Sequence, residues 1–361
     1  MKLLTPAFAL CLALTFACSE KPQVVKSTAE RIALIDSLLA SYQKPPQIFT
    51  VSSQKPSTVT GKEGTILFID PAKLEATDQS PLGENITVEL REMTSATSMA
   101  LNNAPTVSND QLLVSGGAYY IGLSSNNKSL QLKEGQTMKA EFPKIAEENM
   151  SLFYGKKDSL GAVNWEKSEA DFETKNLKKP TKPEEPNNQS LRIKGTWEFE
   201  DIENILAYVD STGNISNSEE YQKELKRYLA QNKRYEEALK NYAEVDLTAL
   251  GYINCDRFLK SGEILANVSL SITDGDIDNA KFYLVFSDIN SVMESSLLRP
   301  FHSPAFRNIP INKKVKLVGF AVNENKTYTF SKNFKVAQNQ EIQVSFAETT
   351  EREMQHMIGG L

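Results

Sequence analysis

Hydrophobic and polar residues alternate along much of this 361-residue chain, with the period of two that is typical of half-buried β-strands. The run 85–93 is a clear example, because apolar and polar side chains take turns along its length. The run 65–69 is more continuously apolar, which is typical of a strand buried on both faces. Glycine, proline and asparagine residues separate such runs. The pattern predicts an antiparallel β-sandwich over residues 48–168.

The same alternation returns toward the C-terminus. Apolar and polar residues alternate along 265–272, and the run 282–286 is apolar without a break. We therefore predict a second sandwich-like domain over residues 251–348, followed by a tail over residues 349–361.

Helical periodicity is found at the N-terminal end of the first predicted sandwich. Ser27 and Glu30 have the spacing of a capping box, and Ile35 and Leu39 fall on one face of the helix that would follow. Pro45 would end that helix. We expect a short helix that packs on the first domain.

A second helical pattern separates the two predicted sandwiches. Residues 169–192 are rich in proline and charge, which indicates a linker or exposed loop. Residues 193–250 carry apolar residues at helical spacing on a Lys- and Glu-rich background, which predicts a mostly helical block. Its tyrosines form a stripe that is either a packing face or a ligand platform. The fold class predicted from these patterns is mainly β, with two β-sandwich-like domains, a helical connecting block and an N-terminal helix.

The N-terminus carries the most specific signal. Lys2 precedes the apolar stretch 3–16, and a small alanine directly precedes Cys18, as secretory processing requires. The stretch is shorter than the roughly 20 apolar residues that span a bilayer. Residues 14–18 resemble the lipobox of bacterial lipoproteins, which implies that residues 1–17 are a signal peptide and that Cys18 is acylated.

Acylation of Cys18 would hold the protein on a membrane, since each buried methylene contributes about 0.8 kcal/mol. Residues 18–47 then form a lipidated tether and the short helix. An ordinary signal peptide cut nearby, or a retained membrane helix, are the alternatives.

The charge of the chain limits its partners. Lys and Arg total 40 against 46 Asp and Glu, a net charge of −6. Removal of residues 1–17 takes away one lysine, so 39 basic residues remain against 46 acidic ones, a net charge of about −7. An acidic protein is unsuited to nucleic acid, which requires a basic face, and is not attracted to anionic lipid. Membrane attachment would therefore depend on the lipid anchor.

Cysteine and histidine are scarce. Of the three cysteines, Cys11 would be removed and Cys18 acylated, which leaves Cys255 without an intramolecular disulfide partner. The chain has two histidines, His302 and His356, so a four-ligand zinc site would depend on carboxylates. We expect no cofactor.

One acidic segment is a weak candidate for a metal site. Asp274, Asp276 and Asp278 are spaced two residues apart, and calcium prefers such oxygen-rich loops. The EF-hand pattern fails, because its sixth position is Asn279 and its twelfth is Val285. An acidic turn between two strands is the favoured interpretation.

Several segments carry a family resemblance that covers most of residues 48–346. They are similar to segments of surface or periplasmic lipoproteins of Bacteroidota-type bacteria, and the early part resembles the ZU5 sandwich, in which a glycine turn precedes a buried strand. The resemblance implies Ig-like or ZU5-like sandwich domains and a cell-envelope location, and it implies no catalytic residues. The segments are 61–65, 85–92, 115–117, 152–155, 251–258 and 284–293.

The expected function is that of a non-enzymatic, membrane-anchored outer-membrane lipoprotein that scaffolds or binds another envelope protein. Whether it faces the periplasm or the cell surface is left open, as is its oligomeric state. Glycan binding is the first alternative, with Trp165 and Trp197 as candidate platforms beside the tyrosines. A hydrolase is the second, since His302 and Ser303 are neighbours and a triad is assembled only in space.

Overall fold

A computed structural model describes residues 28–143, 150–158, 161–174, 226–230, 243–260, 262–286, 288–300, 302–323 and 326–360. The predicted signal peptide and Cys18 lie outside the described residues. So do most of the predicted linker and most of the predicted helical block, including Tyr221, Tyr235, Tyr242 and Trp197.

The fold is mainly β, as predicted. In the described part of the chain, 22 strands form four sheets. The first sheet contains β1 (Gln47–Ser52), β4 (Leu74–Ala76), β5 (Asn85–Met93), β6 (Val107–Ser108), β7 (Gln111–Ser125), β8 (Lys128–Leu132), β10 (Ser151–Lys157), β11 (Val163–Asp171) and β14 (Gly251–Phe258). The second sheet contains β2 (Ser57–Thr60), β3 (Ile66–Ile69), β9 (Met138–Phe142), β12 (Glu173–Thr174) and β13 (Ala243–Leu247).

The other two sheets come from the C-terminal part of the chain. The third contains β15 (Leu265–Ile272), β18 (Ala305–Pro310) and β21 (Gln340–Val344), and β15 and β21 run parallel. The fourth contains β16 (Asn279–Phe286), β17 (Ser291–Leu298), β19 (Lys314–Asn323), β20 (Lys326–Lys335) and β22 (Ala347–Glu348). We call the first two sheets the N-terminal unit and the last two the C-terminal unit.

Each unit has its own apolar core, which accounts for most of the sequence patterns. The run 65–69 is an exception, because β3 is fully buried only at every second residue and not on both faces as predicted. Strand β5 is buried at every second residue, and Ile86, Val88 and Leu90 are fully buried against the second sheet. Strand β16 is buried along its whole length, as its continuous apolar run predicts for a strand covered on both faces. Inward-facing Val268 and Leu270 of β15 pack in the core of the C-terminal unit.

The structure differs from the predicted boundary at residue 251. Strand β14 lies between β7 and β10 in the first sheet, and β13, from the predicted helical block, pairs with β9 and β12. The apolar residues Ile253 and Cys255 of β14 face the core of the N-terminal unit. The chain thus returns to the N-terminal unit before it enters the C-terminal unit at Leu265. Local periodicity identifies a strand but does not show with which strand it pairs.

The described residues also form three α-helices and a short 3-10 helix (Pro71–Lys73). The α-helices are α1 (Thr28–Ala40), α2 (Ala96–Leu101) and α3 (Glu351–Gly359). Residues 226–230 are also helical. Helix α3 begins with a capping box formed by Thr350 and Glu353, although these residues lie in the predicted tail. No helix of the described residues is long and apolar enough to cross a membrane.

Candidate functional site at the joint between the units

The two units share a third apolar core, which we call the joint. Three helices and two sheets contribute buried side chains to it, so the units are packed against each other as in a protein interior. The contributors include Ile35 and Leu39 of α1, Met99 of α2, Phe153 and Trp165 of the first sheet, Tyr283 and Phe320 of the fourth sheet, and Met354 and Ile358 of α3.

Trp165 is at the N-terminal side of this core. Its side chain is fully buried, and its indole N–H donates a 2.7 Å hydrogen bond to the carbonyl of Pro105. Gly155, the residue paired with it on β10, makes room for the ring. A buried indole offers no surface to a sugar, so Trp165 is not a glycan platform.

Polar contacts fix the turn between β16 and β17 against the N-terminal unit. The Asn290 side chain accepts from the N–H of Ala96 (3.0 Å) and donates to the carbonyl of Thr94 (3.0 Å). The hydroxyl of Ser291 donates to the carbonyl of Leu113 (2.5 Å). Asn290 has a φ of +46°, a conformation that asparagine tolerates better than most residues. The turn is thus shaped to insert its polar atoms into the first sheet.

A second polar contact in the joint involves Thr106 and Val292. The N–H of Thr106 donates to the carbonyl of Val292 (2.7 Å), and its hydroxyl accepts from the Val292 N–H (2.9 Å). Both residues belong to segments that pack face to face, so the backbones of the two units are joined directly.

Lys281 is the most unusual side chain of the joint. Only 1% of it is exposed, although it carries a charge. Its ammonium group donates to Asp36 Oδ1 of α1 (2.5 Å) and to Asn103 Oδ1 (3.1 Å), and it lies 3.5 Å from Glu294 Oε1 of β17. The ion pairs therefore connect α1 and the segment after α2 with the fourth sheet.

The acid that faces Lys281 is itself buried. Burial raises the pKa of Glu294, an effect that the positive charge of Lys281 opposes and that Asp36 reinforces. Tyr283 occupies the position paired with Glu294 across the strands. The pKa of Tyr283 is well above its ordinary value, first because of burial and then because of the charges of Glu294 and Asp36.

A carboxyl group is also buried on the N-terminal side of the joint. Asp256 of β14 is fully buried, and burial raises its pKa to about 8. Asn254 Nδ2 donates to Asp256 Oδ2 at 2.6 Å. Cys255 lies between them on the opposite face, and burial followed by the Asp256 charge raises the pKa of its thiol well above the ordinary value. A neutral, enclosed thiol is unreactive.

The predicted acidic segment forms the turn between β15 and β16. Asp274 Oδ2 accepts from the N–H of Phe346 (2.8 Å), and the Asp276 carbonyl accepts from Asn323 Nδ2 (3.0 Å). The carbonyl of Asp278 accepts from the N–H of Arg299 (2.9 Å). The segment is thus bound to neighbouring strands. Among the described residues, no group of three or more His, Cys, Asp or Glu side chains is placed to hold a metal ion.

The two histidines are on the surface and belong to different elements. His302 is exposed and forms a β-bridge with Leu298 next to the fourth sheet, while His356 is exposed on α3. The structure therefore does not place Ser303 and His302 in an enclosed site.

Sequence reasoning missed the buried charges of the joint. Lys281 is the one charged residue of β16 and directly precedes its apolar run, and this position was the available signal for a buried charged group. Glu294 and Asp256 lie in strands of mixed composition, where nothing distinguishes them from surface acids.

Comparisons with protein-family models, curated proteins and solved structures yielded no significant match to this chain.

Proposed function

We propose that this chain is a non-enzymatic lipoprotein of the bacterial cell envelope that acts as a scaffold or binding module for another envelope protein. The observation that carries the proposal is the joint, in which α1, both units and α3 share one apolar core. Such a core presents the outer faces of two β-units in a fixed relation, which suits a scaffold. Lys281 and Glu294 are enclosed and their contacts hold elements together, which is a structural use of these charged groups.

The proposed anchor is Cys18, and it makes a direct test possible. With a mature net charge of about −7, the body is not drawn to anionic lipid, so loss of the acyl chains should release it. We expect Cys18→Ser to abolish incorporation of labelled palmitate and to move the protein from the membrane to the soluble fraction. Cys11→Ala is the matched control, since Cys11 lies within the segment to be removed, and it should leave both readouts unchanged. Membrane retention of Cys18→Ser would contradict the proposed anchor.

Cross-linking from exposed residues of the folded protein tests the proposed partner. Ile48 and Ile264 are large apolar side chains that are 57% and 63% exposed. Ile48 is on β1 of the N-terminal unit, and Ile264 directly precedes β15 of the C-terminal unit. A photo-crosslinking residue at each position should give a reproducible adduct with the same envelope protein from at least one of them. The adduct should be lost when Cys18→Ser displaces the protein. Recovery of the protein without any specific adduct would speak against a scaffold.

Glycan binding is the second candidate, and one observation favours it. Tyr120 and Tyr252 lie side by side on the face of the first sheet opposite to its own core, partly exposed, with ring centroids 4.9 Å apart. Lys157 Nζ lies 5.5 Å from the centre of the Tyr252 ring. A glycan array should give hits that Tyr252→Ala removes. An array without hits, together with a specific cross-linked protein, would decide for the first proposal.

A further inference from the structure

Asn254 and Asp256 form a polar pair inside the protein, in which one oxygen of each side chain is left without a partner in the described part of the chain. Both side chains are fully buried, on the same face of β14. Asn254 Nδ2 donates to Asp256 Oδ2 at 2.6 Å, so one side of each group is satisfied. The remaining oxygen of each, Oδ1, is also buried and has no hydrogen-bond partner among the described residues. An ionised carboxylate leaves both of these acceptors without a donor, which is costly inside a protein.

A neutral carboxylic acid removes this difficulty. Its hydroxyl oxygen donates and its carbonyl oxygen accepts, whereas a primary amide donates from nitrogen and accepts at oxygen. The two groups are therefore complementary. With Nδ2 of Asn254 already donating to Oδ2, a proton on Asp256 Oδ1 supplies the donor that Asn254 Oδ1 lacks.

We propose that Asp256 is a proton-binding site in the joint, held as a neutral carboxylic acid that pairs with the Asn254 amide through two hydrogen bonds. The bound proton comes from solvent, and the carboxylate becomes the acid without any other change in bonding. Its release at alkaline pH places a negative charge beneath the contact between the two units.

The groups around Asp256 agree with a neutral acid. On β7, the Ser115 hydroxyl and the Gly116 N–H donate to it, which lowers its pKa, but burial outweighs these bonds. On β10, the residue paired with it is Ser151, which is uncharged. The titratable neighbours are Cys255 and Tyr119, whose pKa values burial raises well above the ordinary range. Among the described residues, no cation contributes to holding Asp256 ionised.

Ser115 connects this proton to the joint. Its hydroxyl donates to Asp256 and accepts from the N–H of Gly117 (3.0 Å). Its carbonyl accepts from Asn290 Nδ2 (3.4 Å), in the turn that the C-terminal unit inserts into the first sheet. A charge on Asp256 therefore acts one residue away from a contact between the units.

The sign of the pH dependence follows from the raised pKa. Between the ordinary value of 3.8 and about 8, the folded protein holds a proton that the unfolded chain has lost. Stability from this group is thus fully present at acidic pH and declines as the pH rises through this range. Each pH unit within it changes the unfolding constant by about tenfold.

The test uses the purified full chain labelled with ¹³C at the aspartate carboxyl carbon. NMR should show one aspartate that titrates near pH 8, and Asp256→Asn should remove that signal. Because only aspartate carboxyl carbons are labelled, Glu294, which is also buried, gives no signal in this spectrum. Asp256→Asn keeps the shape and a neutral donor, so the ratio of wild-type to variant unfolding constants in urea should rise about tenfold per pH unit from pH 5 to pH 8.

Two results would overturn the proposal. One is a wild-type spectrum in which every aspartate has titrated below pH 6, which needs no variant to fold. The other is a ratio of unfolding constants that does not change with pH. Asp274→Asn is the matched control, because Asp274 lies in the turn between β15 and β16 of the C-terminal unit and its substitution should leave the pH 8 titration in place.

Discussion

Replacement of Lys281 by methionine isolates the buried charges of the joint. Methionine retains an unbranched apolar chain that fills most of the same space, so the main change is loss of the ammonium group. That group lies 2.5 Å from Asp36 Oδ1 and 3.5 Å from Glu294 Oε1. The variant leaves Glu294, whose side chain is 7% exposed, without its cation.

The different burial of Glu294 and Asp36 predicts different losses of stability when their contacts with Lys281 are removed. Removal of one partner of a buried ion pair costs about 3–5 kcal/mol, because the remaining charge is left desolvated. Asp36 is 37% exposed, and its replacement leaves Lys281 beside Glu294, so the loss should resemble the roughly 0–1 kcal/mol of exposed ion pairs. We therefore expect Lys281→Met to destabilise the protein by about 3–5 kcal/mol and Asp36→Asn by at most about 1 kcal/mol. The double variant Lys281→Met/Glu294→Gln leaves no buried charge and should recover about half of the loss.

Urea unfolding of the purified protein, followed by circular dichroism, measures these differences. The pH dependence adds an internal check. Burial already raises the pKa of Glu294, and loss of Lys281 removes the charge that opposes this rise. A carboxyl group with a raised folded-state pKa stabilises at acidic pH and loses that contribution as the pH increases. The deficit of Lys281→Met should therefore be larger at pH 8 than at pH 5. A deficit below about 0.5 kcal/mol, or one equal to that of Asp36→Asn, would refute the reasoning, since surface pairs give such values.

Two further predictions concern packing. Gly155→Ala should lower the free energy of unfolding in urea by about 1–3 kcal/mol, because the added Cβ would lie 2.7 Å from both the Trp165 ring and the Tyr252 side chain. Gly275→Ala is the control, because nothing lies within 4 Å of its added Cβ. Equal stabilities of the two variants would contradict this packing. Cys255 should react with a thiol reagent only after denaturation, because it is 5% exposed and its pKa is raised; rapid labelling of the native protein would show that the thiol is accessible.

Much of the strand architecture could be predicted from local sequence. The alternating run at 85–93 became β5, the continuous run at 282–286 became the buried centre of β16, and helix α1 buries the predicted Ile35 and Leu39. These elements could be predicted because their buried side chains recur with the period of the helix or strand to which they belong.

The pairing of strands and the burial of charged side chains could not be predicted from local sequence. The sequence of β14 resembles that of any half-buried strand, and only the assembled sheet shows that it lies between β7 and β10. Helix α3 has a capping box at Thr350 and Glu353 that can be recognised in the sequence, but Met354, Met357 and Ile358 are too few apolar residues to predict a packed helix. The burial of Asp256 depends on strands that are distant in sequence, so no local pattern predicts it.

The joint combines apolar packing with polar contacts, and the two parts have different consequences. Apolar side chains tolerate many arrangements of similar volume, so a shared core alone would not hold the units in a single orientation. The hydrogen bonds of Asn290, Ser291 and Thr106, by contrast, are satisfied at one relative position only. Because both acids buried near the joint, Asp256 and Glu294, have raised pKa values, alkaline pH should weaken the core and the orientation together. The units are therefore expected to unfold in one transition at neutral pH, and to separate first at this joint when the pH rises.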